Sequence, residues 1–309
     1  MYFCIAGAGA VGCHYGSLLQ QAGYDVVFLA RGYQLRQLQK YGLHHISQDQ
    51  ECLLSVHASD DPSIVKDVDV VLLTCKMTAL DDLLSDIAIH VQPDCTFMTL
   101  QNGVLAADMV LKYFPNHAVL TASAFIGVRM PEVGHVVHSA AGNIMWGSWH
   151  DSVPMQSVKQ LAFALDAASI PQSYQEDMTF VLWNKMLWNC GFNAFSALTR
   201  RYASELAKEM QYASLVRLAM QEVVALAQLK NIPLNEEHID LHLQNTVQAS
   251  LIQPSMWQDI VAGKTTEIDF LNAYVVDQAQ GLGLATPINA YFTTLIRALE
   301  GHGLIFEPA

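Results

Sequence analysis

One hexapeptide near the N-terminus, Gly7-Ala8-Gly9-Ala10-Val11-Gly12, constrains this chain more than any other feature. A short apolar run, Tyr2 to Ala6, precedes it, and a helix-compatible stretch from Ala10 to Gln21 follows. In a strand that passes into a helix over three glycines, each glycine has a task. The first permits a tight turn, the second lets backbone approach a pyrophosphate, and the third lets helix and strand pack closely. The helix N-terminus then offers unpaired N–H groups and a partial positive charge to the anion. A second apolar strand, Asp25 to Ala30, follows at the distance this arrangement requires, which weakens the alternative of a ligand-free glycine turn. The spacing predicts a Rossmann dinucleotide-binding unit with residues 7–12 as its phosphate loop.

The end of the second strand discriminates between dinucleotides. NAD sites usually place Asp or Glu there to hold the ribose 2′-hydroxyl. This chain has Leu29-Ala30-Arg31-Gly32. A guanidinium suits the 2′-phosphate of NADP, which it can bind through two parallel hydrogen bonds. NADPH/NADP is therefore the expected cofactor, against the alternative of an ordinary solvated arginine at position 31.

Strand and helix patterns go on alternating: Asp69 to Thr74, a helix near Ala79 to His90, then Thr96 to Leu100, with further strands over Val119 to Gly127 and Gly134 to Gly147. Such alternation means a parallel sheet covered by helices. After Ile170-Pro171-Gln172 the texture changes. Thr179 to Leu198, Glu209 to Lys230, Glu236 to Ser250, Glu267 to Gln280 and a segment from Pro287 show apolar residues at helical intervals. The expected fold is α/β: an N-terminal Rossmann-type doubly wound sheet over 1–172, followed by an all-α domain over 173–309. The length of 309 residues suits two domains, and 52% hydrophobic against 15% charged residues leaves little room for disorder.

The net charge of −13 disfavours partners that are themselves polyanions, so nucleic acid and anionic membrane surfaces are not expected. Six cysteines, none in a C-x-x-C pair, read as reduced thiols in a cytoplasmic protein without a zinc site. The first two dozen residues contain no Asp, Glu, Lys or Arg, but glycines interrupt them and no basic segment leads them, which argues against a targeting sequence. The apolar C-terminal helices could pair two chains into a homodimer.

The helical half contains one unusual segment, Trp183-Asn184-Lys185-Met186-Leu187-Trp188-Asn189-Cys190-Gly191-Phe192-Asn193. On a regular helix Lys185, Asn189 and Asn193 share one face of an otherwise apolar body. Burying such groups unpaired costs roughly 2–7 kcal/mol for each neutral amide. They therefore either bridge neighbouring helices or line a polar cleft. In a dry cleft the lysine pKa falls, which suits a general acid near neutrality.

Further along, Thr266-Glu267-Ile268-Asp269 fits a helix-capping box, the favoured role for Asp269. Glu267 either complements the helix dipole or reaches Lys185 and a ligand. His238 and His242 stand four apart beside Glu236 and Glu237, but an acidic solvated face explains them better than a metal site. His44-His45 and His135 to His138 show no partner pattern.

Together these pieces resemble the ketopantoate reductase family over essentially the whole chain. The matching segments are residues 7–12, Arg31, Lys76, Gln101-Asn102-Gly103, Trp183-Asn184-Lys185 with Asn189 and Asn193, Ser255-Met256 with Gln258-Asp259, and Thr266-Glu267-Ile268-Asp269. The resemblance implies NADPH-dependent reduction of 2-dehydropantoate to pantoate without a metal. It implies Lys185 as general acid, Asn189, Asn193 and Ser255 at the substrate, and Asn102 between cofactor and substrate. Lys76 would lie near the nicotinamide, and Glu267 would orient Lys185 and contact cofactor or substrate. Ala203 stands where some members carry a further substrate asparagine, and Cys75-Lys76-Met77 departs from the commoner small-residue version. Reduction of another 2-keto acid, or a non-catalytic NADPH-binding sensor, are the alternative readings.

Overall fold

Strands that are apolar on both faces must be covered on both faces, and the first half of the chain supplies helices at the required intervals. The computed structural model describes residues 1–47, 50–149, 153–249, 251 and 253–301. The chain divides into two compact units, one of residues 1–101 and 105–178, the other of residues 102–104 and the chain from Thr179 onward.

The first unit runs β1 (Tyr2–Ala6), α1 (Ala10–Gln21), β2 (Asp25–Leu29), α2 (Gly32–Tyr41), β3 (Leu43–Ser47), β4 (Gln50–Leu54), β5 (His57–Ser59), β6 (Val70–Leu73), α3 (Leu80–Ile87), β7 (Thr96–Thr99), α4 (Ala106–Tyr113), β8 (Ala118–Glu132), β9 (His135–Ser148), α5 (Met155–Ala167) and β10 (Gln172–Tyr174). Its sheet has the order β4-β3-β9-β8-β7-β6-β1-β2-β5, with β10 joined to β9. From β8 to β5 neighbouring strands are parallel. The chain leaves β1 for β2 on one side, and β6 pairs with β1 on the other. That reversal is the crevice where open α/β sheets bind ligands, beyond the carboxyl ends of the strands. The expected N-terminal Rossmann-type sheet is the observed one. The stretches 119–127 and 134–147 form a long antiparallel hairpin, β8 with β9.

The second unit is helical: α6 (Met178–Trp188, whose first residue closes the first unit), a π-turn (Asn189–Asn193), α7 (Ala194–Thr199), α8 (Ala203–Lys208), α9 (Met210–Leu229), α10 (Glu236–Gln248), α11 (Ser255–Val261), α12 (Asn272–Gln280) and α13 (Pro287–Gly301). The reading of α10 to Ser250 extends to a residue outside those described. Its core collects Met186, Phe192, Val216, Met220, Val223 and Ile296, all buried.

Three expectations fail locally. The helix from 179 to 198 is not uniform, because a π-turn widens it over 189–193. The capping box at 266–269 does not form. Thr266 Oγ1 accepts from the Ile268 N–H at 3.2 Å, but only a short 3-10 turn (Ile268–Phe270) follows, and Asp269 instead accepts from Arg297 Nε at 3.0 Å. His242 is not on a solvated face. Its Nε2 lies 2.9 Å from the Asn184 carbonyl oxygen, and burial lowers its pKa.

Candidate functional site

In the first unit the loop after β1 is built by close approach. Gly7 has φ +109°, and a Cβ there would meet the Cys75 backbone nitrogen at 2.3 Å. A Cβ on Gly12 would meet Thr74 Oγ1 at 2.3 Å and the Gly7 carbonyl oxygen at 2.5 Å. The Thr74 hydroxyl itself donates to that carbonyl at 2.7 Å, and Gln34 Nε2 donates to the Ala8 carbonyl at 2.9 Å. Gly9 is different, since a Cβ there would meet nothing within 4 Å. The loop is thus packed on its inner side and open at Gly9. The first intrahelical bond of α1 runs from Cys13 N–H to the Gly9 carbonyl at 2.9 Å. The N–H groups of Ala10, Val11 and Gly12 precede it and have no acceptor within the helix. Open space with convergent donors is what a pyrophosphate requires, so residues 7–12 fit a dinucleotide.

Two cationic candidates flank this loop. Lys76 follows Cys75, whose backbone touches Gly7, and precedes the 3-10 turn Met77–Ala79. Arg31 stands immediately before α2, and its Nη2 lies 3.0 Å from Asp86 Oδ2 of α3. Asp86 is not legible in the sequence as its partner, because nothing in an acidic helix announces a contact 55 positions away.

The second unit brings together three of the residues read from sequence. Asn102 Nδ2 donates to Glu267 Oε2 at 3.1 Å. The Glu267 carboxylate also acts electrostatically on Lys185. Burial pushes the Lys185 pKa down to about 8, and Glu267 opposes that fall. A carboxylate beside a desolvated ammonium stabilises its charged form. Lys185 is therefore a stronger acid than an ordinary lysine, yet mostly protonated at neutral pH.

The π-turn carries the next pair. Asn189 and Asn193 are buried, and Asn193 Nδ2 donates to Asn189 Oδ1 at 3.2 Å. Asn189 Nδ2 and Asn193 Oδ1 are buried without a hydrogen-bond partner. One unmatched donor and one unmatched acceptor in adjacent amides are costly unless a ligand or an ordered water meets them. Ser255 is exposed at the start of α11, a helix that packs on α7 and the π-turn. Ala203 is buried at the start of α8.

The sequence also concealed a cluster in the first unit. His14 Nδ1 and His45 Nε2 are 2.9 Å apart, and the His14 ring lies 4.3 Å from that of His138. His14 is on α1, His45 on β3 and His138 on β9, so only the tertiary fold joins them. Among the described residues no group of three or more His, Cys, Asp or Glu is arranged to hold a metal ion, and no helix is long and apolar enough to cross a membrane.

Two family models match the chain. Ketopantoate reductase PanE/ApbA covers residues 3–151, and the C-terminal domain of the same family covers residues 177–300. A 2-dehydropantoate 2-reductase of Streptococcus pyogenes is 28% identical over 305 residues, spanning 97% of this chain and 98% of its own length. The crystal structure of a PanE/ApbA family ketopantoate reductase from Ralstonia eutropha JMP134 superposes with a TM-score of 0.90 at 30% identity, covering 98% of this chain and 99% of that one. The ternary structure of D-mandelate dehydrogenase with NADH and anilino(oxo)acetate shares the fold, with a TM-score of 0.91 at 24% identity over 99% of this chain and 100% of that one. With both domain models matched in order and relatives aligned end to end, this chain belongs to the ketopantoate reductase family.

Proposed function

We propose that this protein reduces 2-dehydropantoate to pantoate with NADPH, on the route to pantothenate and coenzyme A, and that Lys185 is the general acid. The observation that carries the reading is Lys185 itself, a desolvated lysine with its pKa at about 8, supported by Glu267. Reduction of a ketone puts negative charge on its oxygen, and a positioned ammonium stabilises that charge and donates the proton. Residues 7–12, with Arg31 and Lys76 as further anchors, would hold the nicotinamide cofactor, which would supply the hydride. Glu267 keeps Lys185 protonated, and Asn102 holds the Glu267 carboxylate in place.

The unmatched atoms of Asn189 and Asn193 support a hydroxylated substrate. A hydroxyl accepts from Asn189 Nδ2 and donates to Asn193 Oδ1, and 2-dehydropantoate carries one. A 2-keto acid with only hydrocarbon beyond its keto group leaves both amide atoms unpaired, at about 1–3 kcal/mol each. Ser255 is assigned to the substrate carboxylate on the family resemblance. One observation favours a second reading, reduction of a different 2-keto acid: Ala203 offers no polar group where some relatives have asparagine.

The test is kcat/KM across a panel of 2-keto acids. The reading predicts that 2-dehydropantoate exceeds phenylglyoxylate and other non-hydroxylated acids by at least about tenfold, the worth of one unmatched polar atom. Preference for a non-hydroxylated acid by about a hundredfold would overturn it.

A further inference from the structure

A π-turn adds one residue to a helical turn and interrupts the regular hydrogen-bond ladder. A buried carbonyl in such a turn needs a donor from elsewhere. The carbonyl of Cys190, inside the turn, accepts from the Asn272 side-chain amide at 3.0 Å. Asn272 is the first residue of α12 and fully buried. Its amide also donates to Asn289 Oδ1 at 2.9 Å.

The orientation of that amide is forced. Asn289 Nδ2 donates to the Ala219 carbonyl at 3.1 Å and to Glu222 Oε2 at 2.6 Å, so its oxygen must face Asn272. Glu222 is fixed in turn by the backbone N–H groups of Ile288 at 2.8 Å and Asn289 at 2.9 Å. A flipped Asn272 would set its oxygen against both the Cys190 carbonyl and Asn289 Oδ1. On another side of the turn Gly191 admits α9, since a Cβ there would meet Met220 Cε at 2.7 Å and Val216 Cγ1 at 3.0 Å. The turn is thus held by α9 and α12 together.

The location of a π-turn along a helix is not set by the helix alone. Moving the extra residue by one position redirects the side chain it passes by roughly 100°, one helical step. We propose that Asn272 is a positioning residue that pins the wide turn at 189–193 and thereby aims the unmatched amide atoms of Asn189 and Asn193 at the substrate. The inference rests on the proposed role of those two asparagines.

The test is a double-mutant cycle in the full-length protein with 2-dehydropantoate and NADPH. Asn272→Ser is expected to raise KM by about tenfold, the size of one well-placed hydrogen bond, with NADPH affinity unchanged within about twofold. A purely structural asparagine would lower Tm and leave the KM of the folded enzyme where it was. Asn193→Ala is expected to raise KM as well, and the double variant to fall well short of the product of the two effects. A full product overturns the inference. If Asn193→Ala raises KM and Asn272→Ser does not, the inference fails and the substrate reading stands. If Asn193→Ala leaves KM unchanged, the substrate reading falls and takes the inference with it. Should Asn272→Ser not fold, Asn289→Ser releases the second anchor of the amide. It should raise KM by about threefold, and no change in KM counts against the proposal.

Discussion

Asn102 and Glu267 are 165 positions apart in sequence, and the amide of the first donates to the carboxylate of the second at 3.1 Å. The bond fixes one end of a short relay. Asn102 holds Glu267, and Glu267 favours the protonated form of Lys185 against the desolvation that lowers its pKa.

Replacing Glu267 by Gln should therefore move a titration as well as a rate. With Lys185 as the proposed general acid, reduction would require its protonated form, and turnover should fall as pH rises through about 8. Without the carboxylate, desolvation acts unopposed and the Lys185 pKa drops further. In a kcat–pH profile the alkaline limb of Glu267→Gln should lie about one pH unit below that of the parent. An unmoved limb would show that the carboxylate does not act on the lysine.

Two glycines of the phosphate loop should separate folding from binding. Gly9→Ala meets no atom within 4 Å, so the variant should fold with an unchanged Tm. Its new methyl occupies the space proposed for the pyrophosphate, and NADPH affinity should fall by at least about tenfold. Gly12→Ala drives its Cβ against Thr74 Oγ1 and the Gly7 carbonyl, at 2.3 and 2.5 Å. It should lose about 3 kcal/mol or more of stability. Thermal melts and fluorescence titrations on both variants check the pair.

Arg31 meets Asp86 in an exposed ion pair, with side-chain exposures of 60% and 49%. Such a pair contributes about 0–1 kcal/mol to stability, so Asp86→Asn should melt like the parent. A 2′-phosphate must compete with Asp86 for the guanidinium. Asp86→Asn should tighten NADPH by about threefold and leave NADH unchanged, whereas Arg31→Ala should weaken NADPH by about tenfold or more. Equal changes for both cofactors would remove Arg31 from the 2′-phosphate site.

The histidine cluster predicts acid sensitivity in the first unit. Burial, then the neighbouring histidines, lowers the His14 pKa to about 3; burial, then His138, lowers that of His45 to about 4, against 6.5 for each in the absence of these effects. The unfolded chain then binds more protons than the folded one as pH falls below 6.5. Stability should decline from there down to about pH 3 for His14 and about pH 4 for His45, at up to ~1.4 kcal/mol per pH unit per histidine. Urea midpoints between about pH 7 and 5 test this, and His14→Gln should flatten the slope. A parent whose midpoint is constant over that range would contradict it.

Features governed by local periodicity were legible in the sequence. The glycine loop, the parallel strands and the helical second half all follow from spacings of a few residues. Lys185, Asn189 and Asn193 were legible as polar groups on an apolar helix, but the π-turn beneath them was not. It depends on α9 approaching Gly191 and on Asn272 reaching the Cys190 carbonyl, contacts made only after folding. The Thr266–Asp269 motif misled for a similar reason. The local pattern fits a cap, but Arg297 from α13 takes the Asp269 carboxylate. The pairing of His14 with His45 and of Arg31 with Asp86 is likewise tertiary, with no trace in the spacing of either residue.

As the proposed general acid, Lys185 donates the proton to the keto oxygen. Lys185→Ala, assayed for single-turnover reduction of 2-dehydropantoate at saturating NADPH, tests it most directly. A loss of about 10²–10⁴-fold in the chemical step is expected, with NADPH affinity retained. Turnover within about tenfold of the parent, with an alkaline limb still near pH 8, would contradict it.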